Sequence, residues 1–162
     1  MEKIEDVPII LRREIEALAV VPFLKAFEKE LGEEKMLAIT RKVIANQARK
    51  SGQELAEHYG GNTPEKLVEA LAAFKLEDMA YKEISDKTVR LDVHRCPYVD
   101  MYRRLGLSEY GSVLSCERDP STFKGFNPGI LFSRTQTLMD GGCCGDFVFN
   151  FTEDHQKEKK MP

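Results

Sequence analysis

The order of apolar periods along the chain predicts an α+β fold: N-terminal helices packed on a small antiparallel sheet that ends in a C-terminal β-hairpin. Three observations carry this reading. From Pro8 to Phe74 apolar residues recur at helical spacing. From Met79 to Cys96 the period drops to two, as in a half-buried strand. From Ile130 to Phe151 two runs rich in β-branched and aromatic residues flank a glycine-rich turn.

The first helix is expected over Pro8 to Leu31. Ile10, Ile15, Leu18, Leu24, Phe27 and Leu31 form its apolar stripe, and Arg12, Arg13, Glu16, Glu28 and Glu30 line the other side. Pro22 lacks an amide donor and predicts a kink or break. Gly32 is a suitable stop. A second helix is expected from Glu34 to His58, burying Met36, Ile39, Val43, Ile44, Ala48, Leu55 and Ala56, and ended by Gly60-Gly61. Asn62-Thr63-Pro64-Glu65 then supplies a capping residue, a first-turn proline and an acid at the positive end of the dipole. The third helix carries Leu67, Val68, Leu71 and Phe74.

Strands are expected at Met79 to Ser85 and Thr88 to Cys96, joined at Asp86-Lys87. In the second, Val89, Leu91 and Val93 face one way, while Thr88, Arg90, Asp92, His94 and Cys96 face the other. Pro97 stops the strand. Short helices follow at Tyr98 to Leu105 and Ser108 to Ser115. Residues 116–120 lead out of the second, and Ser121 to Gly129, with Gly125, Pro128 and Gly129, reads as a loop. The final hairpin pairs Ile130 to Met139 with Asp146 to Phe151 around Asp140, Gly141, Gly142 and Gly145. In its last strand Phe147, Phe149 and Phe151 share one face. With no repeat or linker, residues 1–152 read as one domain and 153–162 as a charged tail that frays.

Composition narrows the function. The chain has 162 residues, is 42% hydrophobic and 31% charged, and carries a net charge of -3. That balance offers no basic field for nucleic acid or an anionic membrane, and no run is apolar enough to span a bilayer. The acidic start lacks the apolar block of a secretory signal. A cytoplasmic location follows as the default, with Cys96, Cys116, Cys143 and Cys144 as reduced thiols. The expected partner is a small-molecule substrate or ligand.

The residues able to carry chemistry fall into three groups at the ends of expected elements: His94-Arg95-Cys96, Cys116-x-x-Asp119, and Cys143-Cys144-Gly145-Asp146. Thiolates bind soft metals or attack electrophilic carbon, and a carboxylate can activate water. Cys116, Asp119, Cys144 and Asp146 are the catalytic candidates. Cys96, Cys116, Cys144 and His94 are candidate ligands for a thiolate-bound metal ion. Against this stands packing, since free cysteines are commonly buried and inert; the glycine-rich turn around Cys143 and Cys144 favours function there. Arg134, and with it Arg95, could hold a substrate carboxylate, or Arg134 could pair with Asp146 or Asp140. Asp119 beside Pro120 could instead be a turn former.

Ile10 to Ala17 (Ile-Leu-Arg-Arg-Glu-Ile-Glu-Ala), Val93-His94-Arg95-Cys96, Cys116-Glu117-Arg118-Asp119, and Arg134 to Gly141 closing on Asp146-Phe147 together resemble the L-2-amino-thiazoline-4-carboxylic acid hydrolase family. The resemblance runs from about Ile10 to Phe151. It implies hydrolytic opening of a cyclic amino-thiazoline to N-carbamoyl-cysteine. It maps the site onto Cys96, Cys116 and Asp119, and onto Cys144 and Asp146. The family's last motif reads Cys-Asp-Phe-Arg, whereas Gly145 precedes Asp146-Phe147 here and Val148 stands at the arginine's place. A more distant likeness to the 4-vinyl reductase type of small-molecule-binding domain implies the alternative, a cysteine-lined module that holds a metal or ligand without turnover.

Overall fold

A computed structural model describes residues 7–72, 74 and 76–152. In chain order these form helices α1 (Ile9–Leu31), α2 (Glu33–His58) and α3 (Pro64–Ala72), strands β1 (Glu77–Ile84) and β2 (Thr88–Arg95), helices α4 (Pro97–Arg104) and α5 (Ser108–Leu114), a 3₁₀ turn (Cys116–Arg118), helix α6 (Asp119–Phe126), and strands β3 (Ile130–Ser133) and β4 (Gly145–Phe151). The strands make one antiparallel sheet in the order β1-β2-β4-β3, so the fold is α+β with a C-terminal β-hairpin. The tail, with His155, lies outside the described residues. No helix among them is long and apolar enough to cross a membrane.

Register places the inner face of the sheet. Val89 pairs with Phe149, Leu91 with Phe147, and Phe132 with Phe149. These side chains pack on Leu67 and Leu71 of α3 and on Phe123 and Phe126 of α6. The Phe123 and Phe149 rings meet edge to face at 4.6 Å between centroids, a favoured arrangement. A second core, built by helices, joins Ala17, Val21 and Leu24 to Met36, Ile44, Met101, Tyr102, Val113 and Leu114.

Four expectations change. Ser121 to Gly129 is not a loop: Pro120 stands in the first turn of α6, where its missing N–H would have had no partner in any case. On α1 the buried residues are Ala17, Val21 and Leu24, while Ile15 and Leu18 are exposed. That helix is apolar on most sides, so its period cannot choose a face. Of the kink or break expected at Pro22, the break is absent: the helix continues through it, with Pro22 on the exposed side where water can satisfy the freed carbonyl. The strand expected to reach Met139 ends at Ser133, and residues 134–144 form a connection instead. Leu138 of that connection packs against the sheet core and Met139 against the helical one.

The helices α2 and α6 cross at backbone distance. A Cβ on Gly125 would lie 2.0 Å from the Arg49 carbonyl oxygen, and one on Gly52 would lie 1.9 Å from the Thr122 carbonyl oxygen. Neither clash can be relieved by turning a side chain. Gly125→Ala is therefore expected to destabilise the fold by about 3 kcal/mol or more, read from the midpoint of urea unfolding. A midpoint equal to the parent's would show that the helices do not approach this closely.

Candidate active site

The α2–α6 crossing sets α6 beside the 3₁₀ turn and brings three chain segments together. Cys96 is the N-cap residue of α4, where Pro97 halts the sheet ladder and opens the helix. Cys116 begins the 3₁₀ turn and Asp119 opens α6. Arg134 follows β3. Cys96, Cys116, Asp119 and Arg134 all line one cleft of about 1530 Å³ that runs along α1 and α2 between the helical and sheet cores.

Arg134 ties the site together. Its Nη1 donates to the Asp119 carboxylate in a short ion pair. Its Nη2 donates to the Cys116 carbonyl at 2.7 Å. The guanidinium also sits 5.6 Å from the Phe132 ring centroid and 5.7 Å from that of Phe147, within the range of cation–π attraction. Arg134 thus pairs with Asp119 rather than with Asp146 or Asp140, and both terminal nitrogens are committed.

Burial pushes the Asp119 carboxyl up to about 6 against the opposing pull of Arg134, Arg118 and Arg13. Its side chain is nevertheless 28% exposed, so a molecule in the cleft can reach it. Burial, reinforced by the Asp119 charge, pushes the Cys116 thiol up to about 12. Burial also raises Cys96, against hydrogen bonds from the Val99 and Tyr98 amides. Both thiols are therefore protonated near neutral pH, which makes them weak nucleophiles.

Five further residues join this cluster: Arg12, Arg13 and Glu16 from α1, Tyr98 from α4, and Arg118 from the 3₁₀ turn. Glu16 accepts from Arg13 in a short pair and from the buried Arg118 at 3.1 Å. The polar face of α1, expected only to lie opposite the apolar stripe, lines the cleft at these positions. The signal was the Arg-Arg-Glu-Ile-Glu run itself, with its charges crowded at the start of an otherwise apolar helix.

The remaining candidates lie elsewhere. Asp146 accepts from the Thr135 hydroxyl at 2.6 Å and from the Thr135 and Gln136 amides at 3.0 and 2.9 Å. Burial would raise its pKa, but these bonds win and hold it below the usual carboxylate range. Cys143 is exposed, whereas Cys144, expected at an exposed turn, is buried. Their sulfurs lie 4.0 Å apart, beside Gln136. His94 is exposed, and Arg95 meets Asp100 at 3.7 Å. None of Asp146, Cys143, Cys144, His94 and Arg95 lines the cleft. Among the described residues, no group of three or more His, Cys, Asp or Glu side chains is placed to share a metal ion. Cys96, Cys116, Cys144 and His94 are accordingly not gathered as one ligand set.

These environments rank the thiols. With iodoacetamide at pH 7.5, exposed Cys143 is expected to label first and Cys116 last, followed by peptide mass spectrometry. Labelling of Cys116 as fast as Cys143 would contradict the burial described above.

The family described as L-2-amino-thiazoline-4-carboxylic acid hydrolase matches residues 12–149, a span holding every residue of the cluster. No curated protein and no solved structure matches the chain. A match over this much of the sequence settles the assignment at family level: the chain belongs to the L-2-amino-thiazoline-4-carboxylic acid hydrolase family, and hydrolase is the class that family carries.

Proposed function

We propose that this chain hydrolyses a cyclic amino-thiazoline carboxylate, L-2-amino-thiazoline-4-carboxylic acid or a related sulfur–nitrogen heterocycle, with Asp119 as general base. The observation that carries this reading is a cleft carboxylate whose pKa is raised to about 6. Such a group is ionised at neutral pH yet basic enough to take a proton from water. The family assignment supports the reaction class.

Asp119 draws a proton from a water held in the cleft as that water's oxygen bonds to the amidine-like ring carbon and the C=N π pair moves onto the ring nitrogen. The added hydroxyl gives its remaining proton to that nitrogen, and as the C=O forms the ring C–S bond breaks and its electrons leave on sulfur. The proton on Asp119 passes to the departing thiolate, so the enzyme returns to its starting state and one water has been added, giving N-carbamoyl-cysteine. A thiol's ordinary pKa is about 8.5, above that of Asp119, so this return is downhill. Arg134 acts as a positioning residue that fixes the carboxylate and tempers its pKa. Cys96 and Cys116 serve as neutral, polarisable walls. Water activation is favoured over direct attack by Cys116, because little thiolate exists there. It is also favoured over the cysteine-lined holding module, since the four thiols divide between the cleft and the outer connection.

The test is incubation of pure protein with L-2-amino-thiazoline-4-carboxylate while new free thiol is measured. The base must be ionised, so kcat/KM is expected to fall as pH drops through about 6 and to level off above it. Asp119→Asn is expected to lose about 10²- to 10⁴-fold in kcat. A folded Asp119→Asn protein with parental kcat would remove Asp119 from the role of base. No thiol release by the parent would remove this substrate.

A further inference from the structure

Two donors in the cleft have nothing to donate to among the described residues. The Arg12 Nε and the Tyr98 hydroxyl are buried and have no hydrogen-bond partner there. Tyr98 as a whole is only 7% exposed. Both residues line the cleft, and Tyr98 lies close enough to Arg12, Arg13 and Asp119 to feel their charges. Buried polar atoms left unpaired are uncommon, because each costs the free energy of its lost hydration. Two such atoms in one hollow point to a ligand that completes them.

The chemistry of that ligand follows from the donors. A guanidinium can only donate, so the missing partner is an acceptor. Of the four arginines lining the cleft, Arg13 and Arg118 hold Glu16, and Arg134 holds Asp119. Arg12 holds no carboxylate among the described residues. Four guanidinium groups thus meet Glu16 and Asp119 in this cluster, while Glu54, which also lines the cleft, pairs with Lys50, so the excess is positive. A planar anion with two oxygens suits one guanidinium edge plus one phenol.

We infer that Arg12 and Tyr98 form the subsite that receives the substrate's carboxylate. The inference rests on the hydrolytic reading of the same cleft and adds to it the part of the substrate that is recognised. It also reassigns a role: Arg134 and Arg95 were the sequence candidates for this contact, but Arg134 is committed to Asp119 and Arg95 is off the cleft. The bound carboxylate leaves the ring free to present its reacting carbon to the water at Asp119.

A probe that lacks the amidine carbon, and so cannot undergo the proposed reaction, separates binding from turnover. Thiazolidine-4-carboxylate has the ring and the acid but no amidine carbon, and its carboxamide has the ring without the charge. Calorimetry on the full chain is expected to show the acid binding at least about 10-fold tighter than the carboxamide. Arg12→Leu is expected to weaken the acid about 10- to 100-fold and leave the carboxamide unchanged, the scale of one charge-assisted hydrogen bond. Tyr98→Phe deletes an unpartnered oxygen, so it should keep the parent's melting temperature and weaken the acid several-fold. In turnover both variants should raise KM more than they lower kcat. Equal affinity for acid and carboxamide, inorganic phosphate binding more tightly than the acid, or parental acid affinity in both variants would overturn the subsite. If the parent binds the acid through Arg12 but releases no thiol from the amino-thiazoline, the subsite stands and the hydrolytic reading falls. If it turns over with KM unchanged in both variants, the reverse holds.

Discussion

The backbone contact between α2 and α6 is the constraint from which the site follows. Gly52 and Gly125 let two helices meet where any side chain would strike an opposing carbonyl. That approach carries Phe123 and Phe126 beneath the sheet, against Phe149 and Ile130. It also fixes the start of α6, and Asp119 with it, at the wall of the cleft. With α6 held further off, Asp119 would meet bulk water, and a carboxyl there keeps its ordinary pKa near 3.9.

Desolvation and attraction compete at Asp119, and the balance sets what it can do. The ion pair with Arg134 and the charges of Arg118 and Arg13 favour the ionised form, while the surrounding protein disfavours it. Burial wins, which leaves a carboxylate that is ionised at neutral pH and more basic than an ordinary one. Arg134 is itself held by the Cys116 carbonyl and by the faces of Phe132 and Phe147, so the pair does not depend on solvent for its geometry. The start of the connection 134–144 is also tied to β4 by Asp146, whose carboxylate gathers the Thr135 hydroxyl and the Thr135 and Gln136 amides. Asp146 holds backbone, whereas Asp119 faces the cleft. The two carboxylates are alike in sequence and differ in the groups that meet them.

What the sequence discloses depends on how local the signal is. Val89, Leu91 and Val93 alternate with polar residues, so their burial is legible without any partner. The start of α3 is legible for the same reason, through Thr63 and Pro64. α1 is different, because Leu11, Ile15, Leu18 and Phe23 are as apolar as the residues that end up buried; packing in one cluster with α2, α4 and α5 chooses Ala17 and Val21. α6 was hidden because proline and glycine usually break helices. Here proline occupies the first turn and Gly125 serves a crossing partner far away in sequence. Cys116, Asp119 and Arg134 were visible as chemistry-bearing residues in short motifs. Arg12 and Tyr98 were not, since a charged residue on a helix reads as solvated until the facing element is known.

On the proposed function, the same electrostatics would connect the recognition of substrate to its reaction. A second anion brought near Asp119 would raise that carboxyl further, and a base protonated at neutral pH accepts nothing. The cluster avoids this by its excess of guanidinium groups over carboxylates. On this reading, a carboxylate that enters against Arg12 arrives with its charge already met, so the field at Asp119 changes little on binding. The protonated thiols of Cys96 and Cys116 contribute in the same direction, because a thiolate at either place would add negative charge beside the base. On the proposed function, a cleft that holds its sulfurs neutral, its acid ionised and one arginine without a carboxylate among the described residues suits an anionic substrate whose own bond to sulfur, and not the protein's thiol, is the one that changes.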